Sequence, residues 1–281
     1  MNQEWDSVVN AKKKNIWPDL KEVWNFRDLV FLFVKRDFVS IYKQTLLGPI
    51  WLFIQPLTTT FIYVFIFGNL ANLGTDGLPK PLFYLTGIVS WTFFSEVFTK
   101  SSGIFLANSH IFTKVYFPRL IIIISVFFSS LIRMGIQLLL LISLMIYFIL
   151  NQDFHFNLTW HLLFLPIIVF LIALIGIGLG MIVSSLTIKY RDLNNLIQFG
   201  VQLLMYATPV VYSMASMPSK YKKFILYNPL APLIEGIRFC SFGAGELSFS
   251  GLLFSLTFGV IIFLTGLLAF KISESDFIDN I

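Results

Sequence analysis

Six stretches of this chain are long and apolar enough to cross a bilayer as helices, at about 50–72, 82–107, 120–150, 162–187, 196–211 and 251–270. A spanning helix needs about 20 mostly apolar residues, because the hydrocarbon core is about 30 Å thick. No charge occurs between Gln44 and Thr75. Glu96 and Lys100 fall in the second half of the next stretch, and Arg133 alone interrupts the third. The pattern from Asn25 to Ile41 is different: Arg27-Asp28 and Lys35-Arg36-Asp37 alternate with the apolar runs 29–34 and Phe38-Val39. This segment is too charged to span and too apolar to be solvated, which predicts an amphipathic helix in the membrane interface. Trp17 and Trp24 precede it and are expected at headgroup level. The fold class expected is all-α: a polytopic membrane protein with six transmembrane helices. Residues 1–48 form a tail and interfacial helix, and residues 49–281 form one transmembrane domain.

The cations set an orientation. The first 48 residues carry eight Lys/Arg, including Lys12, Lys35, Arg36 and Lys43, which places this end in the cytoplasm. They include no short apolar core with a small-residue cleavage site, so no cleavable signal peptide is expected. Six spans return the C-terminus to the cytoplasm. The loops around His110, Lys114 and Arg119 and around Lys189-Tyr190-Arg191 then fall inside, and the Asn151–His161 loop, without Lys or Arg, falls outside. One region breaks the rule. Lys220, Lys222, Lys223 and Arg238 lie on the outer side, among Pro209, Pro218, Pro229 and Pro232. Two short helices over about 217–242, dipping into the outer leaflet and returning, account for this, since irregular backbone at membrane depth is tolerated where protein buries it. The alternative is that one piece spans and the C-terminus is outside. Lys222, Pro229, Pro232, Glu235 and Arg238 are the candidate residues of an outer gate.

Composition narrows the function. Of 281 residues, 57% are apolar and 12% charged, about half the usual ~25% charge. A soluble enzyme, a disordered chain and a nucleic-acid binder are excluded, and the net charge of +5 reports orientation and lipid headgroups instead. One cysteine, Cys240, gives neither a disulfide framework nor a cysteine zinc site. No G-x-x-x-x-G-K-[ST] occurs, so the chain carries no P-loop. Gly176, Gly178 and Gly180 lie inside a span, where small residues let helices approach closely. The three histidines have no metal-ligand spacing, and no paired carboxylates lie within a helix turn in a span.

Charges within spans are functional candidates by default. Arg133 is either a cation on an aqueous translocation path or a structural partner of a carbonyl or of Glu235. Glu96 and Lys100, at i and i+4 near the inner interface, read as a local helix-surface pair or as functional groups. Lys43 lies at the inner headgroup level with Arg36 about two turns behind. At that depth they are placed to meet an anionic group at the membrane surface. Simple attraction to anionic lipids, about 1 kcal/mol per cation, is the competing account. The turn carrying His110, Ile111, Phe112 and Lys114, and the turn Lys189-Tyr190-Arg191-Asp192, are short and polar between long spans. They fit a groove on a partner, or they are solvated connections. Ile111 and Phe112 favour the partner, because they are expected to be exposed apolar residues otherwise.

The order of several motifs resembles a known family. Arg27-Asp-Leu29, Lys35-Arg-Asp37, Tyr42-Lys-Gln-Thr-Leu-Leu-Gly-Pro-Ile-Trp51 and Gln55-Pro56 are similar to the opening of permease subunits of ABC transporters that export polysaccharides: O-antigen, capsule or teichoic acid. Leu82-Phe-Tyr-Leu-Thr-Gly87, Tyr116-Phe-Pro-Arg119, Lys189-Tyr-Arg-Asp192, Pro209-Val-Val-Tyr212 and Tyr227-Asn-Pro-Leu230 continue the likeness. The ending Phe277-Ile-Asp-Asn-Ile281 departs from the more usual Phe-Ala-Asp-Val-Ile of O-antigen members. The resemblance implies a transport subunit, not an enzyme, in the bacterial inner membrane. It implies a homodimer with two copies of a separate ATPase that holds ATP and Mg, no cofactor on this chain, and a polyprenyl-diphosphate-linked glycan as substrate. Gln44 and Gln55 then join Arg36 and Lys43 at substrate loading, and Trp51 joins Arg133 on the path. A drug exporter of the same class, a secondary transporter or channel, and a membrane enzyme are the other classes; the last would need a His or carboxylate cluster that the chain lacks.

Overall fold

The computed structural model of the protein describes residues 20–43, 45–112, 114–151, 160–190 and 192–279. All regular elements among them are helices. Helix α1 (Leu20–Asn25) leads into α2 (Arg27–Tyr42), which covers the segment read as an amphipathic helix. The chain then turns through Gly48, whose φ of +50° suits a residue without a β-carbon. Pro49 falls in the first turn of the next helix, where its missing N–H leaves no bond unmade. Helix α3 (Trp51–Tyr63) follows and widens over Val64–Leu70, where the Ala71 N–H reaches the Ile66 carbonyl at 2.9 Å. Helix α4 (Lys80–Ser102) ends at Gly103, and α5 (Ile104–Phe112) continues after this break. Next come α6 (Leu120–Asn151), α7 (Leu165–Thr187) and α8 (Leu193–Tyr206). Helices α9 (Ser219–Leu226), α10 (Ala231–Phe242) and α11 (Phe249–Asp279) close the chain.

Five helices among the described residues are long and apolar enough to cross a membrane: Gly48–Leu70, Lys80–Ser102, Leu120–Asn151, Trp160–Thr187 and Phe249–Glu274. The segment expected as the fifth of six spans is shorter than its hydropathy suggests. Helix α8 has 14 residues, about 21 Å at 1.5 Å per residue, short of the hydrocarbon thickness. It stops at Tyr206, and the chain runs on without helix to Pro218. The two short helices expected at 217–242 are α9 and α10.

Helix α7 is the centre of the bundle, packed between α4 and α11. Its glycines explain how. A β-carbon on Gly176 would stand 3.2 Å from Val97 of α4, and one on Gly180 would strike Ser101 a turn further on. Gly178 points the other way, where a β-carbon would lie 2.8 Å from the Phe263 nitrogen of α11. Two glycines four apart thus admit one neighbour and the one between them admits the other, close contacts of the kind that associate helices in lipid.

The two ends of the bundle differ. At one end, Phe33 of α2 is buried against Phe117, with ring centroids 5.6 Å apart. Arg119 donates to the Glu274 carbonyl near the end of α11 at 2.8 Å, and Tyr116 donates to Glu22 of α1 at 3.2 Å. Phe31 and Leu32 on the other side of α2 stay exposed. At the opposite end lie α9, α10 and the 71–79 loop, where Ser213 donates to Asp76 and Ser255 donates to the Pro229 carbonyl at 2.7 Å.

Candidate functional site

A cavity of about 800 Å³ opens at the α2 end. Its walls are Arg36, Asp37 and Ser40 of α2, Lys100 of α4, Asn108 and His110 of α5, Arg133 of α6, and Asn194 and Gln198 of α8. Arg36 is held in its wall by Asp37 at 2.9 Å, by the Asn108 amide oxygen at 3.4 Å and by the Phe33 ring beneath it. The cavity runs inward along α6 from Ile122 to Arg133. Three cations therefore face one volume, from helices far apart in sequence.

Arg133 and Glu96 correct the sequence expectation. The partner of Arg133 is Glu96, whose Oε1 lies 2.8 Å from its Nη1; Glu235 is at the other end of the molecule. Lys100 Nζ contacts the same Glu96 oxygen at 2.6 Å. What reads in sequence as a helix-surface pair is thus a three-residue cluster between α4 and α6. It lies within the last two turns of α4, which ends at Gly103 before α5 begins.

The other loading candidates do not join Arg36. Lys43 is exposed at the end of α2, its N–H capping the Val39 carbonyl at 2.9 Å. Gln44 lies outside the described residues. Gln55 lines a separate cavity of about 90 Å³ with Tyr63, Trp91 and Gln137, and Trp51 is exposed at the start of α3.

The coupling turns are partly rearranged. Ile111 and Phe112 are not exposed; both pack on the core, with the Phe112 ring 5.8 Å from Phe117 and under the Arg119 guanidinium at 4.9 Å. The apolar residues that do reach outward are Val115 and Tyr116, 57% and 78% exposed. They flank a cavity of about 290 Å³ that also touches Lys114, Arg119 and Glu274. Lys189, Tyr190 and Asp192 are exposed at the α7–α8 turn, and Arg191 lies outside the described residues.

At the far end, Arg238 is not a surface cation. It is fully buried, with Nη1 and Nη2 donating to the Pro209 and Val210 carbonyls at 2.7 Å each, and its guanidinium 3.8 Å from the Phe83 ring centroid. Glu235 lies 3.5 Å away and accepts from the Met214 N–H at 3.3 Å. The pair therefore satisfies the irregular backbone after α8. Lys222, Pro232 and Glu235 border a small cavity of about 80 Å³ with Asp76, while Pro229 offers its carbonyl to Ser255. Asp76 and Asn108 carry no motif signal; the contact of Glu96 with Arg133 could have been inferred only from the need of Arg133 for a carboxylate nearby.

Long apolar helices, glycine-mediated packing and polar groups buried between helices define a multi-pass membrane protein. The chain belongs to the ABC-2 type transporter family, which it matches over residues 28–242. It is similar to the O-antigen export system permease protein RfbA of Klebsiella pneumoniae, 30% identical over 244 residues covering 87% of this chain and 91% of that one. It is also similar to RfbA of Myxococcus xanthus, 23% identical with 78% and 82% covered. The polysialic acid transport protein KpsM of Escherichia coli is 22% identical, with 71% and 76% covered.

Proposed function

We propose that this chain is the membrane-spanning permease of an ATP-driven exporter that moves a polyprenyl-diphosphate-linked polysaccharide, O-antigen in the first instance, across the bacterial inner membrane. The α2 end faces the cytoplasm. Two copies assemble about a two-fold axis and share the glycan path, and each engages a separate ATPase subunit that binds ATP and Mg. The observation that carries the reading is the cationic cavity at the α2 end, where Arg36, Lys100 and Arg133 converge beside an interfacial helix. A lipid-linked diphosphate travels at the headgroup level with its tail in the bilayer, so it reaches Lys43 and Arg36 first. Arginine offers bidentate hydrogen bonds to phosphate oxygens and lysine a point charge. The exposed Val115–Tyr116 turn, with Lys189, Tyr190 and Asp192, forms the contact with the ATPase.

The test is reconstitution of the permease with its ATPase in proteoliposomes, scored by ATP-dependent movement of lipid-linked glycan. Transport by this chain without an ATPase, or intact surface polysaccharide in cells lacking it, overturns the reading. Export of small amphiphilic drugs in place of the glycan identifies a drug exporter of the same class.

A further inference from the structure

We propose that Lys100 and Arg133 form a second, deeper diphosphate station on the translocation path, and that Glu96 is its resident competitor, keeping binding weak enough for the substrate to leave. The inference rests on the loading function proposed for the cavity and concerns its inner end.

Charge gives the first argument. Among the described residues Glu96 is the one carboxylate contacting both Lys100 and Arg133, so this three-residue cluster carries one positive charge in excess. Arg133 stands about 20 Å along α6 from Leu120 at 1.5 Å per residue, well inside the bilayer. Unneutralised cations at such depth are costly and mark ion or substrate pathways. A diphosphate supplies the missing negative charge.

Geometry gives the second. Glu96 takes Arg133 through Nη1 alone. The opposite edge of the guanidinium, Nε with Nη2, is buried and has no hydrogen-bond partner. That edge presents two parallel donors, the arrangement that holds two phosphate oxygens at once. One turn earlier on α6, the hydroxyls of Ser129 and Ser130 are likewise buried and unpaired. Buried donors without acceptors are destabilising, and two on one guanidinium, with two more hydroxyls a turn away on the same helix, are a poor solution for a purely structural pair. They suit a guanidinium with two orientations, one on Glu96 and one turned toward an anion in the cavity it already lines.

A polymer exporter needs this weakness. A lone Lys–Arg pair in a low-dielectric site would hold a diphosphate tightly and stall the chain that follows it. With Glu96 in place, an incoming diphosphate exchanges one anion for another, and release is helped by the carboxylate's return.

The experiment uses the full permease–ATPase complex in nanodiscs, with equilibrium binding of radiolabelled farnesyl diphosphate and with farnesol as the uncharged control. Glu96→Gln is expected to tighten farnesyl diphosphate binding at least tenfold and to slow export, while Glu96→Asp stays near wild type. Arg133→Gln and the charge-balanced Arg133→Gln/Glu96→Gln pair are expected to weaken binding at least tenfold. Unchanged or weaker binding by Glu96→Gln in a monodisperse complex overturns the proposal, as does wild-type binding by the double variant, which also serves if the single variant does not assemble. The two readings fail separately. If the expected affinities appear but no glycan is exported, the assigned substrate is wrong and the station stands; if glycan is exported and the affinities do not move, only the station falls.

Discussion

Gly87 and Arg238 share one volume: a β-carbon on Gly87 would lie 2.8 Å from Arg238 Nη2 and 2.6 Å from the Val210 carbonyl oxygen that Nη2 serves. The bare backbone of α4 thus makes room for a buried cation from α10, which in turn holds the unwound chain after α8. Gly87→Ala is expected to destabilise the purified protein by about 1–3 kcal/mol, the usual cost of overpacking. Gly135→Ala, in open space within α6, is the control and is expected to leave the melting temperature unchanged or slightly raised, since alanine favours helix.

Removing the cation itself is expected to cost more. Arg238→Met strips the Pro209 and Val210 carbonyls of their donors and leaves Glu235 buried without its counter-charge, for which about 3–5 kcal/mol is typical. The double variant Arg238→Met/Glu235→Gln is expected to be more stable than Arg238→Met alone. Thermal melts of the detergent-purified proteins decide this, and equal melts would show that Glu235 is not held by the arginine.

Coupling to the ATPase has two distinguishable lesions. Phe112→Asp places a carboxylate in a ring cluster of its own chain and is expected to lower protein abundance. Val115→Asp alters an exposed side chain and is expected to leave abundance intact while lowering export per ATP hydrolysed several-fold. Arg119→Gln breaks the link from the α5–α6 turn to the Glu274 carbonyl and is expected to lower export per ATP as Val115→Asp does, with some loss of abundance because Arg119 is buried over the Phe112 ring. Normal export per ATP in both variants would remove this face from the coupling path.

Loading is tested by charge position. Arg36→Gln and Lys43→Gln are expected to lower substrate-stimulated ATPase activity without loss of insertion, and Lys12→Gln to do little. Equal effects of all three would favour general lipid attraction, whose size follows the number of cations and not their place.

The pattern of apolar runs made the long helices legible, because the bilayer demands a minimum length of unbroken hydropathy. It made α8 look longer than it is, since Pro209–Val211 is apolar for another reason: it is buried as irregular chain, with the Pro209 and Val210 carbonyls hydrogen-bonded by Arg238. Helix α10 was legible as a non-spanning piece from its prolines, but not the burial of its arginine, because a sequence shows charge without showing what surrounds it. The same limit hid the Glu96–Arg133 contact, which joins residues from two helices whose rotation about their axes hydropathy does not fix. Phe112 misled for the opposite reason: an apolar residue in a polar turn can fold back on its own chain through Phe105, Phe117 and Arg119.

The placement of α7 between α4 and α11 also has a bearing on how the protein is made. Gly180 can meet α4, which is synthesised before it, as soon as α7 enters the membrane. Gly178 must wait for the last span, since its close neighbours are Phe263 and Gly266 of α11. Until that span is inserted, the face of the central helix that carries Gly178 lacks its close neighbours. The core is therefore sealed only once α11, made after α7, has entered the membrane. A chain that stops before Gly259 would be expected to reach the membrane and be removed there by proteases, as an open bundle with its middle helix half dressed.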